Sequence, residues 1–322
     1  MKTNIEQIGI IGSGKIGMSF AALFTGNGYN VVVYGIDQQE IEKGSELYHN
    51  YYKDLVNQKL VTERQAELCE KRLAMTTSYG DLADAELLYE CAVENIKIKR
   101  DIYKEAERHC KKFRAIASAT SAISADDLAQ EMTNKEKLCV AHPWNPPHLA
   151  PCVEVVKSKE TSDEVIELVV NLLESVGREV VVMQKSIPGF VLNRLHHALF
   201  REAIYLVETG VVTPEDIDRM LRTSIMPRYT SVGFFQYHDY IGLDMIKSIH
   251  DYLFPTLCKA DHAQDLINGL YEKGELGYKT GKGVFDWSDV DIDEFREKVG
   301  KPFYAFFNWN LPNEDEKERR KK

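Results

Sequence analysis

The stretch IEQIGIIGSGKIGMSFAALFTGNGYNVVVY, residues 5–34, decides the fold of this chain. Residues 5–11 form a short apolar run that ends at a glycine, as expected of a strand buried in a parallel sheet. From Lys15 to Gly26 the apolar residues recur at helical spacing, and residues 31–34 form a second apolar run. Strand, glycine turn, helix and strand together predict one βαβ unit.

The turn inside this unit carries the pattern Gly12-x-Gly14-x-x-Gly17. In a dinucleotide-binding unit, the first glycine permits a tight turn and the second lets the backbone approach a pyrophosphate. The third allows the helix to pack closely on the strand, and the helix N-terminus contributes free N–H groups. We therefore expect a dinucleotide to bind at Gly12, Gly14, Lys15, Ile16 and Gly17. A glycine-rich turn without a ligand is the alternative interpretation.

The end of the second strand should carry an acid that binds the ribose of the dinucleotide. The chain has Tyr34-Gly35-Ile36-Asp37 here, so Asp37 is the candidate, although it lies past the end of the strand. No Lys or Arg follows before Lys43, and the pattern therefore offers no cation for the 2′-phosphate of NADP. NAD is the predicted cofactor.

Apolar runs alternate with helical patterns through the first half of the chain. Further strands are predicted at residues 86–92, 114–118, 138–141, 153–156 and 179–183. Helices are predicted at 97–111, 125–132 and 163–175, with a helical hairpin at 38–73. This alternation predicts an α/β fold with a Rossmann-like, doubly wound and mostly parallel sheet.

The pattern changes near Ser186-Ile187-Pro188-Gly189, after which apolar residues follow helical spacing without strand alternation. We therefore predict two domains. Residues 1–186 would form an NAD-binding domain that contains the inserted hairpin. Residues 187–322 would form an all-helical domain for substrate binding and dimerisation.

Composition narrows the possible partners. The net charge of −10 over 322 residues argues against nucleic acid, because phosphate binding requires clustered Lys and Arg. The basic tail, 317–322, is expected to be a solvated, frayed end. No apolar run approaches the roughly 18–20 residues of a membrane span, and the N-terminus lacks the pattern of a signal peptide. With six scattered cysteines, expected to be reduced thiols, the chain is predicted to be cytoplasmic and without a metal site.

A polar constellation downstream of the turn predicts proton transfer. His142 ends one predicted strand and Glu154 lies in the next, so adjacent strands can bring them together. A histidine suits this task because its pKa lies near neutrality, and a carboxylate beside it fixes its tautomer. Next to a bound dinucleotide, the pair predicts a dehydrogenase acting on an alcohol. A structural histidine is the alternative, disfavoured because three prolines stiffen the intervening loop.

Two further polar residues are candidates for holding a substrate oxygen. Ser121 follows the strand predicted at 114–118, where it could equally cap a helix. Asn193 lies in the first turns of the predicted second domain, where it could also be an ordinary polar position.

These residues together resemble the 3-hydroxyacyl-CoA dehydrogenase family, and the resemblance runs from Ile8 to about Trp287. Six motifs carry it in the order of the family. They are GSGKIG at 12–17, CAVENIKIK at 91–99, SATS at 118–121, AHPWNPPHLAPCVEVV at 141–156, PGFVLNRL at 188–195 and GYKTGKGVFDW at 277–287.

The resemblance implies a role for each catalytic candidate. His142 would be the general base in the oxidation direction, paired with Glu154, while Ser121 and Asn193 would bind the reacting oxygen. The helical second domain would form a homodimer interface and close over the substrate.

The resemblance also implies that Glu94, Lys99 and Asn145 line the cofactor. Without it, Glu94 and Lys99 would be interpreted as a solvated helix start. Two departures from the family pattern concern the substrate side and the coenzyme side, respectively. Ala119 stands where the acyl-CoA enzymes usually have Asn, and Gly35 stands where they carry the ribose-binding acid.

Within the family, residues 142–156 resemble the branch that contains lambda-crystallin, L-gulonate dehydrogenase and L-carnitine dehydrogenase, which act on small free hydroxy acids. That branch has an Arg followed by an aromatic residue at the position of Arg228, whose guanidinium could bind a free carboxylate in bidentate fashion. A surface salt bridge is the alternative. In the acyl-CoA branch the hairpin carries several lysines for CoA, whereas residues 48–58 contain only Lys53. The GYKTGKG motif, in contrast, is typical of bacterial acyl-CoA members, unless it only makes a turn.

Three hypotheses follow for the function. The first is NAD-dependent hydride transfer to or from C3 of a small free L-3-hydroxy acid. The second keeps this chemistry but takes a short-chain L-3-hydroxyacyl-CoA of the 3-hydroxybutyryl-CoA type. The third is a non-catalytic, crystallin-like protein that binds NAD.

Overall fold

The computed structural model describes residues 4–313, and the predicted basic tail therefore lies outside the described residues. The chain divides into two compact units. Unit 1 contains the residues up to Val191 and those from Arg296 onward, and unit 2 contains Leu192–Phe295. None of the helices within residues 4–313 has the length and hydropathy needed to cross a membrane. All six cysteines are free thiols.

Unit 1 is built on an eight-stranded sheet. Its strands are β1 (Gln7–Ile11), β2 (Asn30–Tyr34), β3 (Leu73–Thr76), β4 (Leu87–Glu90), β5 (Ala115–Ser118), β6 (Leu138–Pro143), β7 (Cys152–Lys157) and β8 (Glu179–Val182). They lie in the order β3-β2-β1-β4-β5-β6-β7-β8, and every neighbouring pair is parallel except the antiparallel pair β6 and β7. This topology confirms the predicted Rossmann-like, mostly parallel sheet.

Helices flank the sheet of unit 1. They are α1 (Lys15–Gly26), α2 (Gln38–Asn57), α3 (Glu63–Glu70), α4 (Ile96–His109), α5 (Ala125–Ala129) and α6 (Asp163–Ser175), with short 3₁₀ turns at Tyr79–Leu82 and Lys135–Lys137. The predicted hairpin consists of α2 and α3, and α5 ends three residues before its predicted end. β3 was not predicted, because this four-residue edge strand is only half-buried and its apolar run is limited to the three residues 73–75.

The apolar strands are explained by a sheet that is covered on both faces. Ile8 and Ile10 of β1 belong to one hydrophobic cluster, and Ile11 belongs to a second cluster on the other face. In β4, Leu87 and Leu88 divide between the two clusters in the same way. Because successive side chains point to opposite faces, a strand buried on both sides has no alternation of apolar and polar residues.

Unit 2 consists of helices and turns. Its helices are α7 (Leu192–Glu208), α8 (Pro214–Thr223), α9 (Ile225–Tyr229), α10 (Phe234–Ile241), α11 (Leu243–Leu253) and α12 (Asp265–Glu272), with a 3₁₀ turn at Phe254–Thr256. The boundary between the units falls inside α13 (Ile292–Gly300), which a 3₁₀ turn at Lys301–Phe306 follows. The helical character agrees with the sequence pattern, whereas the expected homodimer stays a prediction.

The predicted second domain, 187–322, differs from unit 2 at both ends. Residues 187–191 belong to unit 1, and the chain returns to unit 1 at Arg296. The returning segment is held by an aromatic side chain, because Trp309 is buried and lies so close to Gly26 that a Cβ there would be 2.2 Å from its ring. The Tyr304 hydroxyl also donates to the Asp54 carboxylate over 2.9 Å.

The loop between β6 and β7 is fastened to α1 by a buried histidine. Ser19 Oγ accepts from the His148 backbone N–H over 2.9 Å and lies 2.7 Å from His148 Nδ1, to which it can donate its own proton. The Arg178 guanidinium donates to the carbonyls of Pro147 and Ala150 in the same loop. Burial, and secondarily the charge of Arg178, lowers the pKa of His148 from 6.5 to about 3. The imidazole is therefore neutral in the folded protein.

This shift predicts a loss of stability in mild acid. The unfolded chain protonates His148 near pH 6.5 but the folded chain only near pH 3, so the unfolded state binds more protons between these values. The free energy of unfolding is therefore expected to fall as the pH falls below 6.5. His148→Gln retains an acceptor for Ser19 but does not titrate. From pH 7 to pH 5 the wild type should lose about 2 kcal/mol more than this variant, measured by urea unfolding. Equal losses in the two proteins would contradict a buried, neutral imidazole.

Candidate active site

The Gly-rich turn after β1 has no space for a side chain at Gly12 and Gly17 but is open at Gly14. Gly12 has a φ of 108°, and a Cβ there would lie 2.8 Å from the Cys91 carbonyl oxygen. A Cβ on Gly17 would lie 1.9 Å from the Gly12 carbonyl oxygen, whereas one on Gly14 would meet no atom within 4 Å. The open side at the first turn of α1 therefore fits the approach of a pyrophosphate, as the sequence predicts.

Two carboxylates, those of Asp37 and Glu40, accept hydrogen bonds from the backbone just after β2. Asp37 caps α2, because its Oδ1 accepts from the Glu40 backbone N–H over 2.8 Å. Glu40 Oε2 in turn accepts from the Ile36 backbone N–H over 2.7 Å. Asp37 thus has a capping role beside its predicted role at the ribose, and Glu40 was not predicted. Negative charge at this point disfavours a 2′-phosphate and suits NAD.

Gly35, which stands where the family pattern has the ribose-binding acid, lies close to two side chains. A Cβ on Gly35 would lie 2.8 Å from the Cδ1 atom of Ile41 and 3.0 Å from the Ser13 hydroxyl. A side chain at this position would therefore require the Ile41 and Ser13 side chains to move. Where the family pattern carries an acid, this chain has a glycine that the Ile41 side chain packs against.

The antiparallel pair β6 and β7 brings the two catalytic candidates together. Their register places His142 opposite Glu154, and His142 Nδ1 lies 2.8 Å from Glu154 Oε2. Both side chains are almost fully buried, with exposed fractions of 9% and 3%. With the proton assigned to Nδ1, the carboxylate fixes the tautomer and leaves Nε2 as the basic nitrogen.

The other oxygen of this carboxylate is held by the end of unit 1. Glu154 Oε1 accepts from the Val191 backbone N–H over 2.8 Å. The preceding residue, Phe190, is fully buried, has a φ of 50° and places its ring centroid 5.4 Å from that of His142. Glu154 is therefore restrained on both oxygens, and the imidazole is packed against an aromatic ring.

Glu94 organises the turn that presents Ser121. Its Oε1 accepts from the Thr120 hydroxyl over 2.6 Å and from the backbone N–H groups of Ser121 and Ala122 over 3.1 Å each. Ser121 itself is exposed. The carboxylate predicted to line the cofactor thus also shapes the turn after β5.

Lys99 is buried, which contradicts the interpretation of this residue as part of a solvated helix start. Only 1% of its side chain is exposed, and its ammonium donates to Glu90 over 2.7 Å and to the Ala92 carbonyl over 3.3 Å. The ammonium also lies 3.6 Å from Glu94, whose side chain is 40% exposed. Sequence reasoning missed Glu90. The available signal was an acid inside an apolar strand, which requires a buried partner.

The remaining candidates are placed as follows. Asn145 is exposed in the loop after β6, and Asn193 lies in the first turn of α7 in unit 2. Arg228 is exposed in α9, where its guanidinium stacks 4.3 Å from the ring centroid of Tyr237. Among residues 4–313 it forms no ion pair, so the alternative of a surface salt bridge finds no partner there.

The GYKTGKG motif forms a turn in unit 2. Gly277 pairs with Lys282 through a β-bridge, and the Lys282 ammonium lies 3.1 Å from Glu275. The simpler of the two interpretations, a turn-forming role, therefore accounts for these residues.

The glycine geometry predicts that binding and folding can be separated. Gly14→Ala should fold normally, because its Cβ meets nothing, but should raise the Kd for NADH at least about tenfold, or 1.4 kcal/mol. Gly17→Ala should lose both folding and binding, since backbone oxygen occupies the space. Gly269→Ala, in an open helical position, is the matched control: it should leave the Kd for NADH unchanged and should not lower the unfolding temperature. Thermal unfolding and NADH fluorescence titration measure the two effects. Unchanged NADH affinity in Gly14→Ala would place the pyrophosphate elsewhere.

Comparison with known proteins identifies the family. The NAD-binding domain of 3-hydroxyacyl-CoA dehydrogenase matches residues 7–187, and the C-terminal domain of the same enzyme matches residues 189–287. The two matches cover most of the chain and meet close to the boundary between the units.

Three similar proteins illustrate the range of this family. The structure of a 5-formyl-3-hydroxy-2-methylpyridine 4-carboxylic acid 5-dehydrogenase, an NAD⁺-dependent dismutase, is similar with a TM-score of 0.85 and 29% identity, covering 94% of this chain and 97% of that one. A lambda-crystallin homologue of Rattus norvegicus is 33% identical over 70% of this chain and 71% of its own length. A 3-hydroxybutyryl-CoA dehydrogenase of Bradyrhizobium diazoefficiens is 30% identical over 89% of this chain and 97% of its own length.

The fold, the open glycine turn and the two domain matches lead to one conclusion. The chain belongs to the 3-hydroxyacyl-CoA dehydrogenase family, and it is an NAD-dependent oxidoreductase that acts on a CH–OH group.

Proposed function

We propose that the protein oxidises or forms a small free L-3-hydroxy acid by hydride transfer between its C3 carbon and NAD. The observation that carries this proposal is the buried pair of His142 and Glu154, joined over 2.8 Å. NAD supplies the hydride acceptor in the oxidation direction. The rest of the reaction is proton transfer and orientation, which are tasks for the side chains of this chain.

His142 is proposed as the general base. Its Nε2 takes the hydroxyl proton of the substrate while the hydride leaves C3, and the O–H electron pair becomes the second bond of the carbonyl. Glu154 stabilises the imidazolium that forms and prevents the ring from turning, because its carboxylate is held from both sides. In the reverse direction the same imidazolium returns the proton.

Ser121 and Asn193 are proposed to donate hydrogen bonds to the reacting oxygen. Ser121 is exposed on a turn that Glu94 holds through two backbone N–H groups, which suits a donor that must be positioned before substrate binds. Asn193 supplies an amide donor by residue type. Glu94, Lys99 and Asn145 are proposed to belong to the cofactor side, Lys99 acting from its buried position through Glu94.

Arg228 is proposed to bind the substrate carboxylate. Its guanidinium is exposed and lies over the ring of Tyr237, which limits its motion while leaving the planar edge for a bidentate contact. Two of the similar proteins support a free acid as substrate. One is named for a pyridine 4-carboxylate, and the other belongs to the lambda-crystallin branch.

A short-chain 3-hydroxyacyl-CoA is the second candidate substrate. The similarity to a 3-hydroxybutyryl-CoA dehydrogenase over nearly the whole chain favours it. Against it, α2 offers only Lys53 within residues 48–58 as a cation for CoA phosphates. A thioester also has no carboxylate for Arg228 to bind.

Removing the proposed base should abolish catalysis without abolishing cofactor binding. His142→Ala is expected to lower kcat about 10²- to 10⁴-fold, because no other group takes the proton, and to leave the Kd for NADH unchanged. The exposed His109 provides the control, since His109→Ala should retain wild-type kcat. Steady-state kinetics and NADH titration separate the two quantities. A kcat within a few-fold of wild type would rule out His142 as the base.

Substrate choice is tested by a panel assay. NAD reduction with L-gulonate, L-carnitine and L-3-hydroxybutyrate is compared with NADH oxidation by acetoacetyl-CoA. We expect the highest kcat/KM with a free acid, and a loss of about 10-fold or more in Arg228→Ala, as expected when a charge-assisted bidentate pair is removed. Arg222→Ala, in the exposed last turn of α8, is the matched control and should leave kcat/KM unchanged. Activity confined to acetoacetyl-CoA and insensitive to Arg228→Ala would establish the second candidate instead.

A further inference from the structure

The last residue of β4, Glu90, is a fully buried carboxylate with four donors. Its Oε1 accepts from the Ala92 backbone N–H and from the Lys99 ammonium, each over 2.7 Å. Its Oε2 accepts from the Tyr103 hydroxyl over 2.8 Å and from the Ser118 hydroxyl over 2.7 Å. A carboxylate offers about four lone-pair positions, so these donors saturate Glu90. Its role is therefore within the protein and not toward a ligand.

Glu90 is linked to the turn that carries Ser121 by electrostatic attraction through Lys99 and Glu94. The Lys99 ammonium lies between two carboxylates, 2.7 Å from Glu90 and 3.6 Å from Glu94. Glu94 in turn accepts the backbone N–H groups of Ser121 and Ala122. Because Lys99 is buried, loss of the charge on Glu90 leaves Glu94 as its only carboxylate neighbour in the described chain. The ammonium would then draw Glu94 away from the turn.

A second route passes through the backbone of β5. Glu90 lies opposite Ser118 in the sheet, and the Ala119 N–H donates to the Glu90 carbonyl over 2.8 Å. Ser118 Oγ, which donates to Glu90 Oε2, also accepts from the Thr120 N–H over 3.4 Å. Both routes therefore end at the same turn, on either side of Thr120.

Glu90 also contacts the segment against which the Gly-rich turn packs. The Ala92 backbone nitrogen, which donates to Glu90, would lie 3.1 Å from a Cβ on Gly12. The neighbouring Cys91 N–H donates to the Ile11 carbonyl over 2.8 Å. The same carboxylate thus restrains the segment beside the dinucleotide turn and the turn that presents Ser121.

We propose that Glu90 is a positioning residue that holds Ser121 in its reactive place through Lys99, Glu94 and Ser118. This inference rests on the proposed function of Ser121 as a donor to the reacting oxygen. Glu90 contacts neither substrate nor cofactor. Its effect is transmitted by the ion pair and by the hydrogen bonds of the turn, and its removal is expected to loosen that turn.

A double-mutant cycle between Glu90→Gln and Ser121→Ala tests the proposal. The assay measures kcat/KM with the member of the substrate panel that the wild type turns over fastest. Each single variant is expected to lose about 10-fold or more, as for removal or misplacement of one donor to a reacting oxygen. Glu90→Gln should cost little further in the Ser121→Ala background, because both changes remove the same contact.

Hydrogen exchange gives a readout that is independent of activity. In Glu90→Gln, the amide groups of residues 119–122 should exchange faster, because Glu94, the acceptor of the Ser121 and Ala122 N–H groups, is displaced and the turn loosens. Ser118→Ala removes only one donor to Glu90 and provides a second variant if Glu90→Gln does not fold. It should also raise exchange at residues 119–122. Glu105→Gln changes a half-buried acid on α4 that pairs with Arg108, and as the matched control it should change neither exchange nor kcat/KM.

The possible failures are distinguishable. If Ser121→Ala retains wild-type kcat/KM, Ser121 is not a donor to the reacting oxygen. The positioning role proposed for Glu90 is then contradicted as well. If Ser121→Ala is impaired but the losses of the two single variants multiply in the double variant, Glu90 acts elsewhere and the inference is overturned. Unchanged exchange at residues 119–122 in both Glu90→Gln and Ser118→Ala would overturn it as well.

Discussion

The close backbone contact between Gly12 and Gly17 is the constraint on which the rest of unit 1 depends. A single methyl group at Gly17 would lie 1.9 Å from the Gly12 carbonyl oxygen, so only glycine allows α1 to start where it does. This contact sets α1 against the sheet and leaves the Gly14 side open. It also places Ser19 where it can hold the loop between β6 and β7 through His148. The Gly-rich turn and the loop between β6 and β7 are thus both positioned by α1.

The antiparallel pair β6 and β7 in the otherwise parallel sheet is what brings His142 and Glu154 together. In a parallel arrangement, two consecutive strands need a long crossover, and residues 142 and 154 would be too close in sequence to supply it. An antiparallel return through a short loop lets His142 and Glu154 face each other in register. The short loop must then be stiff and anchored, which prolines, Ser19 and Arg178 achieve. Glu154 gains its second restraint from Val191, at the end of unit 1.

Buried charge explains the most informative disagreement with the sequence pattern. Lys99 follows a polar helix start and resembles a solvated residue, yet it is buried against Glu90. A buried ion pair is costly unless its remaining hydrogen-bonding positions are satisfied. Glu90 meets this condition with three further donors, from Ala92, Tyr103 and Ser118. These partners lie in the loop after β4, in α4 and in β5, so no local sequence pattern predicts that they contact Glu90.

The sequence alone predicted the Rossmann-like sheet, seven of its eight strands and the helical second half, through its periodicity and the placement of its glycines. It also contained the motifs of the family. These features are encoded locally, because side-chain spacing follows the period of each element and glycine is required where no Cβ fits. Only the tertiary structure decided three further points. It showed the edge strand β3, whose apolar run is too short to predict a strand, and the return of the chain to unit 1 through Trp309. It also identified the partners of Glu90, because contacts between residues distant in sequence are set by packing and carry no local signal.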